Sequence, residues 1–131
     1  MINEGVIPGP RLLVAGPAIV ATGAYGPKGF HEGVTVPLGA ESASGTTEVI
    51  KAVRRQIGNG TDFIKIYADY RWRSGEPSQA TFLQEELDAM IAATKSAGRY
   101  AVAHAGTPEG MKRAILAGVE TIEHGLSLIH I

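Results

Sequence analysis

Apolar and polar positions follow two different periods along this chain, and the switches between them outline its elements. Arg11 to Ala15 is a short, mainly apolar run closed by Pro10 on one side and Gly16-Pro17 on the other, which predicts a buried strand. From Gly16 to Gly45 no period persists. That stretch is rich in glycine and proline and reads as a long loop, with an extended piece at Ile19-Val20-Ala21. A helical period starts at Thr46: Val49, Val53 and Ile57 share a face while Lys51, Arg54 and Arg55 lie away from it, and Gly58 and Gly60 end the helix. Asp62 to Ala68 follows as a strand apolar on both faces except for Lys65.

A polar loop with Gly75 and Pro77 leads to Thr81 and Gln84, whose spacing predicts a capping box. The helix it opens carries Leu83, Leu87, Met90, Ile91 and Thr94 on one stripe and closes at Gly98. Tyr100 to His104 is the next strand. Thr107 then caps a helix with Pro108 at its first position, Met111, Ala114 and Ile115 inward, and Gly118 at its end. Val119 to Glu123 completes the series as another short strand. Helices alternating with strands that are apolar on both faces imply a parallel sheet with right-handed crossovers, an α/β fold. About four parallel strands make half of an eight-stranded barrel or most of a small open sheet, and periodicity alone does not choose between them.

Composition narrows the picture by exclusion. Apolar residues make up 44% and charged residues 19%, enough to bury a core and unlike a disordered tail. The net charge of −1 is spread over mixed acids and bases, so neither nucleic acid nor an anionic membrane surface is an expected partner. Cysteine is absent, which removes disulfides and cysteine-ligated zinc. No apolar run approaches the roughly 20 residues that span a bilayer. Met1 to Pro10 lacks the basic start and apolar stretch of a signal peptide; no compartment follows from that, and a soluble protein of a bacterial cytoplasm or periplasm is the expectation.

Three polar side chains fall at or near the C-terminal ends of successive strands: Lys65, His104 and His124. That edge of a parallel sheet is where barrels and open sheets both build their sites. Alternation puts Phe63, Lys65 and Tyr67 on one face, His104 with Tyr100 and Val102, and His124 with Ile122. Three convergent nitrogen groups on a rigid frame suggest a metal site, zinc first because imidazole is its commonest protein ligand. Lysine is not a ligand as an ammonium. Its neutral amine can take up carbon dioxide as a carbamate, or form a Schiff base with a carbonyl.

Asp-Phe-Ile-Lys-Ile-Tyr-Ala (62–68), Ala-Val-Ala-His-Ala (101–105) and Glu-Thr-Ile-Glu-His-Gly (120–125) resemble three successive strands of the amidohydrolase superfamily, nearest to its imidazolonepropionase-like and prolidase-like enzymes. Glu-Gly-Val-Ile-Pro-Gly-Pro-Arg-Leu-Leu-Val-Ala-Gly (4–16) is similar to their third barrel strand and its approach. The resemblance implies a partial TIM-like (β/α)8 barrel, strands three to six, truncated at both ends and covering residues 1–125. It makes Lys65 a carboxylated lysine and His104 and His124 ligands of one or two divalent metal ions, most naturally zinc. The family hydrolyses carbon–nitrogen bonds of small amides or dipeptides through a metal-bound hydroxide. It also uses a His-x-His pair on the first strand and a proton-accepting aspartate on the eighth, neither of which this sequence contains. The isolated chain is therefore expected to be inactive.

Some residues depart from that pattern. Thr-Gly-Ala-Tyr-Gly (22–26) stands where relatives often carry a histidine, and Asp-Tyr-Arg-Trp-Arg (69–73) replaces a glycine-rich turn. Tyr70, Arg71 and Trp72 are candidate substrate contacts, Arg71 as a carboxylate clamp, with anchoring of the loop as the plainer alternative. Glu123 is a candidate supporting group beside His124. His31 and His130 read as incidental, and 126–131 as a tail unlike the family and not native to it. Two rival functions stay open at this point: a Schiff-base lyase or aldolase using Lys65, and a non-catalytic assembly module. Half a barrel leaves open sheet edges, which predicts self-association.

Overall fold

The computed structural model of the chain describes residues 2, 4–31 and 33–126; the reading of His130, and of all the tail except Leu126, lies outside them. Ten elements follow in order: β1 (Ala18–Val20), β2 (Ala40–Ser42), α1 (Gly45–Gly58), β3 (Ile64–Tyr67), β4 (Asp69–Tyr70), β5 (Gln79–Ala80), α2 (Gln84–Ser96), β6 (Ala101–Ala105), α3 (Pro108–Ala117) and β7 (Thr121–His124). Five strands form one sheet in the order β2-β1-β3-β6-β7, every pair parallel, and β4 with β5 makes a separate antiparallel pair.

One face of the sheet carries Ile64, Ile66, Ala101, Ala103 and Ala105, all buried. Against it pack Val49, Ala52 and Val53 of α1, Leu87, Met90 and Ile91 of α2, and Met111 and Ala114 of α3. The helices thus form a single layer, α1 on α2 and α2 on α3. An open doubly wound sheet would carry helices on both faces. Here the opposite face presents Lys65, Tyr67 and His104, all partly exposed, so the sheet is a sector of a barrel with its helices outside.

Several expectations need correction. The strand expected at 11–15 contributes only a bridge from Ala15 to Phe63 and a backbone pair between Val14 and Asp62. Leu12, Leu13 and Val14 are half to two-thirds exposed rather than buried. The paired strand is β1, three residues on. Ala15 sits opposite Phe63 and Ile19 opposite Ile66, so Gly16-Pro17 inserts one extra residue, a bulge of the kind proline favours because it cannot donate to the ladder. A fifth strand, β2, lies within the long loop, too short to leave a period.

The cap of α2 is also different. Thr81 is drawn into the β4–β5 pair, its N–H bonded to the Ala68 carbonyl at 3.1 Å. The helix begins after Leu83, and Glu86 reaches back to accept from the Leu83 N–H at 2.8 Å and from the Gly45 N–H at 2.6 Å. Leu83 and Ile115, expected inward, are 56% and 58% exposed. The α3 cap matches expectation: Thr107 Oγ1 accepts from the Gly110 N–H at 3.0 Å, and Gly118 closes the helix in the left-handed region at φ 91°.

Candidate functional site

The C-terminal edge of the sheet gathers the polar side chains. Register sets Lys65 opposite Val102 and Tyr67 opposite His104, so lysine and histidine share the face turned away from the helices. In β7 the expected alternation is reversed. Ile122 pairs with Ala103 and packs with the α3 cluster, whereas Glu123 pairs with His104 and joins Lys65 in an ion pair. His124 nevertheless meets His104, ring centroids 4.8 Å apart and edge to face. At this last position of β7 its backbone takes φ 78°, a conformation that simple alternation does not contain.

His104 sits in the more enclosed position. Its side chain is 22% exposed, and its ring lies 4.9 Å from that of Tyr67. Its Nε2 is 3.2 Å from Oδ1 of Asp69, a carboxylate that is wholly buried. Asp69 Oδ2 accepts from the Gly106 N–H at 2.9 Å, the Thr107 N–H at 2.7 Å and the Thr107 hydroxyl at 2.7 Å, locking the turn after β6. Burial pushes the Asp69 carboxyl up; the His104 contact and the Thr107 and Gly106 hydrogen bonds outweigh it and hold the group below its ordinary value. The fit is tight: a Cβ on Gly110 would lie 2.4 Å from Oδ2.

Lys65 is 15% exposed, and burial draws its amine below the ordinary lysine value. Its ammonium lies 5.9 Å from the ring of Tyr67, which belongs to an aromatic group. Tyr67 meets Tyr25 at 5.3 Å and Tyr70 at 6.2 Å, and Tyr25 meets Tyr70 at 5.1 Å. Burial pushes the Tyr67 phenol above its ordinary value, with Tyr25 and Tyr70 adding to it. Of the expected substrate contacts, Tyr70 belongs to this group, Arg71 lies 6.0 Å from the Tyr70 ring and Trp72 is 40% exposed. Among the described residues His31 makes a local hydrogen bond, its Nδ1 accepting from the Gly33 N–H at 3.1 Å.

Sequence reasoning missed Asp69, Tyr25 and Tyr67. Asp69 acts across 37 and 38 residues on a turn that carries no mark of it, so only its position directly after the lysine strand signalled interest. Among the described residues no three His, Cys, Asp or Glu side chains converge as a ready cation site. Two imidazoles are in contact, and a partly desolvated lysine lies on the same sheet face of the neighbouring strand, ion-paired with Glu123 of β7. That donor set fits a divalent cation on condition that Lys65 becomes an oxygen donor.

The model of the amidohydrolase family matches residues 2–130. The ochratoxinase of Aspergillus niger is 34% identical over 140 residues, taking in 94% of this chain and 29% of that protein. A solved Xaa-Pro dipeptidase with methionine bound in its active site superposes with a TM-score of 0.82 at 37% identity, over 95% of this chain and 32% of the other. The solved A. niger ochratoxinase gives a TM-score of 0.76 at 30% identity, over 95% and 33%. The chain thus spans about a third of the length of the relatives it matches.

Proposed function

This chain belongs to the amidohydrolase family, and on that premise we propose that it supplies the middle of a divalent-metal site, with Lys65, His104 and His124 as ligand positions. The observation that carries this reading is the meeting of the two imidazoles at the C-terminal sheet edge, on the face that Lys65 shares. The family is generally metal-dependent, and zinc suits imidazole nitrogen best among the common hydrolytic ions. When bound, the ion supplies Lewis acidity for hydrolysis of a carbon–nitrogen bond in a small amide or dipeptide, the chemistry the relatives' names suggest.

This chain's own residues bind and orient. Burial of Lys65 favours the neutral amine, which adds to carbon dioxide: an N–C bond forms, the nitrogen gives up a proton to water, and a carboxylated lysine with two oxygens results. The charge at position 65 reverses from its ammonium form. The ion pair with Glu123 then breaks, and that half-exposed carboxylate turns toward solvent. Tyr25, Tyr67 and Tyr70 offer an apolar wall for the substrate body, and Arg71 a cation for a carboxylate. The strands at the two edges, β2 and β7, are the surfaces through which copies of this chain would associate.

The His-x-His pair and proton-accepting aspartate implied by the family have no counterpart in these 131 residues. We therefore expect this chain to take up zinc in bicarbonate buffer without hydrolysing dipeptides. Zinc titration should weaken at least about tenfold in His104→Ala and in His124→Ala, since loss of even an outer partner of a ligand costs about that much. Equal zinc uptake by the wild type and the double variant would overturn the metal reading, and zinc-dependent turnover by the chain alone would overturn its incompleteness.

A further inference from the structure

The surroundings of Asp69 decide which nitrogen of His104 is free. One of its two carboxylate oxygens, Oδ2, is saturated by three donors from Gly106 and Thr107. The other, Oδ1, is equally buried and accepts no aligned hydrogen bond from any described residue. Its polar neighbour is Nε2 of His104 at 3.2 Å. A buried carboxylate oxygen left without a donor is costly, and a bare Nε2 there would set two lone pairs against each other. A small rotation of the ring aligns an Nε2 proton with Oδ1. No described residue hydrogen-bonds Nδ1, which lies on a ring in contact with His124.

We propose that Asp69 is a positioning residue that keeps a proton on Nε2 of His104, so that the ring presents Nδ1 as its acceptor to the metal. The assignment of the proton stands on the carboxylate geometry alone. Only the identity of what Nδ1 meets rests on the metal reading above. A histidine ligand fixed by a carboxylate on its far nitrogen is pre-oriented and more basic at its near one. Asp69 thereby ties together β4, the Gly106-Thr107 turn and the tautomer of a side chain on β6.

Asparagine at position 69 gives an unusually sharp test. The three donors on Oδ2 still require an oxygen, so the amide NH2 must take the place of Oδ1 and donate toward Nε2. Nε2 becomes an acceptor and the proton moves to Nδ1. Long-range 1H–15N correlation spectra of the metal-free full chain, assigned with His104→Gln, read this directly at about pH 9, where imidazoles with an ordinary value near 6.5 are neutral. The expected result is Nε2–H in the wild type, Nδ1–H in Asp69→Asn, and zinc binding weakened about 10- to 100-fold in that variant. Thr107→Val should melt at lower temperature through loss of the α3 cap while His104 keeps Nε2–H, separating stability from tautomer.

A wild-type spectrum with Nδ1–H or an even mixture overturns the proposal, and it decides alone if Asp69→Asn does not fold. A folded Asp69→Asn with the wild-type tautomer overturns it too. A chain with the expected tautomers that takes up no zinc counts against the metal reading instead.

Discussion

His104 and His124 stand on adjacent strands and touch edge to face, yet they are held in opposite ways. His104 lies within β6, backed by a buried carboxylate and flanked by Tyr67, and its turn is pinned by three hydrogen bonds. His124 is exposed at the last position of an edge strand, and its ring contact is with His104 itself. Its backbone sits at φ 78°, which an L-residue adopts at a cost because its Cβ crowds the carbonyl oxygen. One side chain is organised by the core of the chain. The other is placed by a local bend and depends on its neighbour for position.

The comparison breaks most readily at Asp69. Asp69→Ala leaves buried donors from Gly106 and Thr107 without an acceptor, and should cost about 3–5 kcal/mol in denaturant unfolding. A loss below about 1 kcal/mol would mean that the pocket behind His104 is no more rigid than the β7 edge. Glu123→Gln should have a smaller effect. The Lys65–Glu123 pair is half open to water on the glutamate side, so its loss should cost at most about 1 kcal/mol. The same variant should strengthen the carbamate signal of Lys65 in 13C-bicarbonate spectra, because the ammonium form loses its counter-charge. An unfolding loss above about 2 kcal/mol would show β7 to be tied as firmly as β6.

The smallest effect is expected at His124, with the sign reversed. Glycine takes a positive φ without the Cβ penalty, so His124→Gly should raise stability by about 0.5–1 kcal/mol in thermal melts. A decrease would show that the ring contact with His104 outweighs the backbone cost and that the two imidazoles hold each other.

Much of this was legible in the residues, and the exceptions have physical causes. The three helices, the strands around Lys65 and His104 and the Thr107 cap follow from periods and caps that act within a few residues. The family resemblance likewise rested on contiguous motifs. What failed were features decided at a distance or by a single dihedral. β2 is three residues long in a stretch without a period, and finds its place by pairing with β1. The cap of α2 went to Glu86 because that carboxylate also serves Gly45, 41 residues earlier in the chain. The face of β7 was misread because alternation presumes extended dihedrals throughout, and His124, its last residue, has φ 78°. Asp69 was invisible as a positioning group because its partners lie beyond the whole of α2.

Gly110 gives that last arrangement a history. A glycine inside a helix costs about 1 kcal/mol relative to alanine, yet two side chains crowd this position, Asp69 and the Thr107 cap of α3 itself. The tighter contact is the Asp69 carboxylate, 2.4 Å from where a Cβ would stand, with Thr107 Oγ1 at 2.9 Å beside it. Positions 69 and 110 are therefore not free to drift separately. A methyl group at 110 is ruled out while the aspartate remains, and loss of the aspartate removes the tightest of the contacts that exclude it. A substitution that looks like a harmless gain in helix propensity would thus reach, through one carboxylate, the ring on the neighbouring strand.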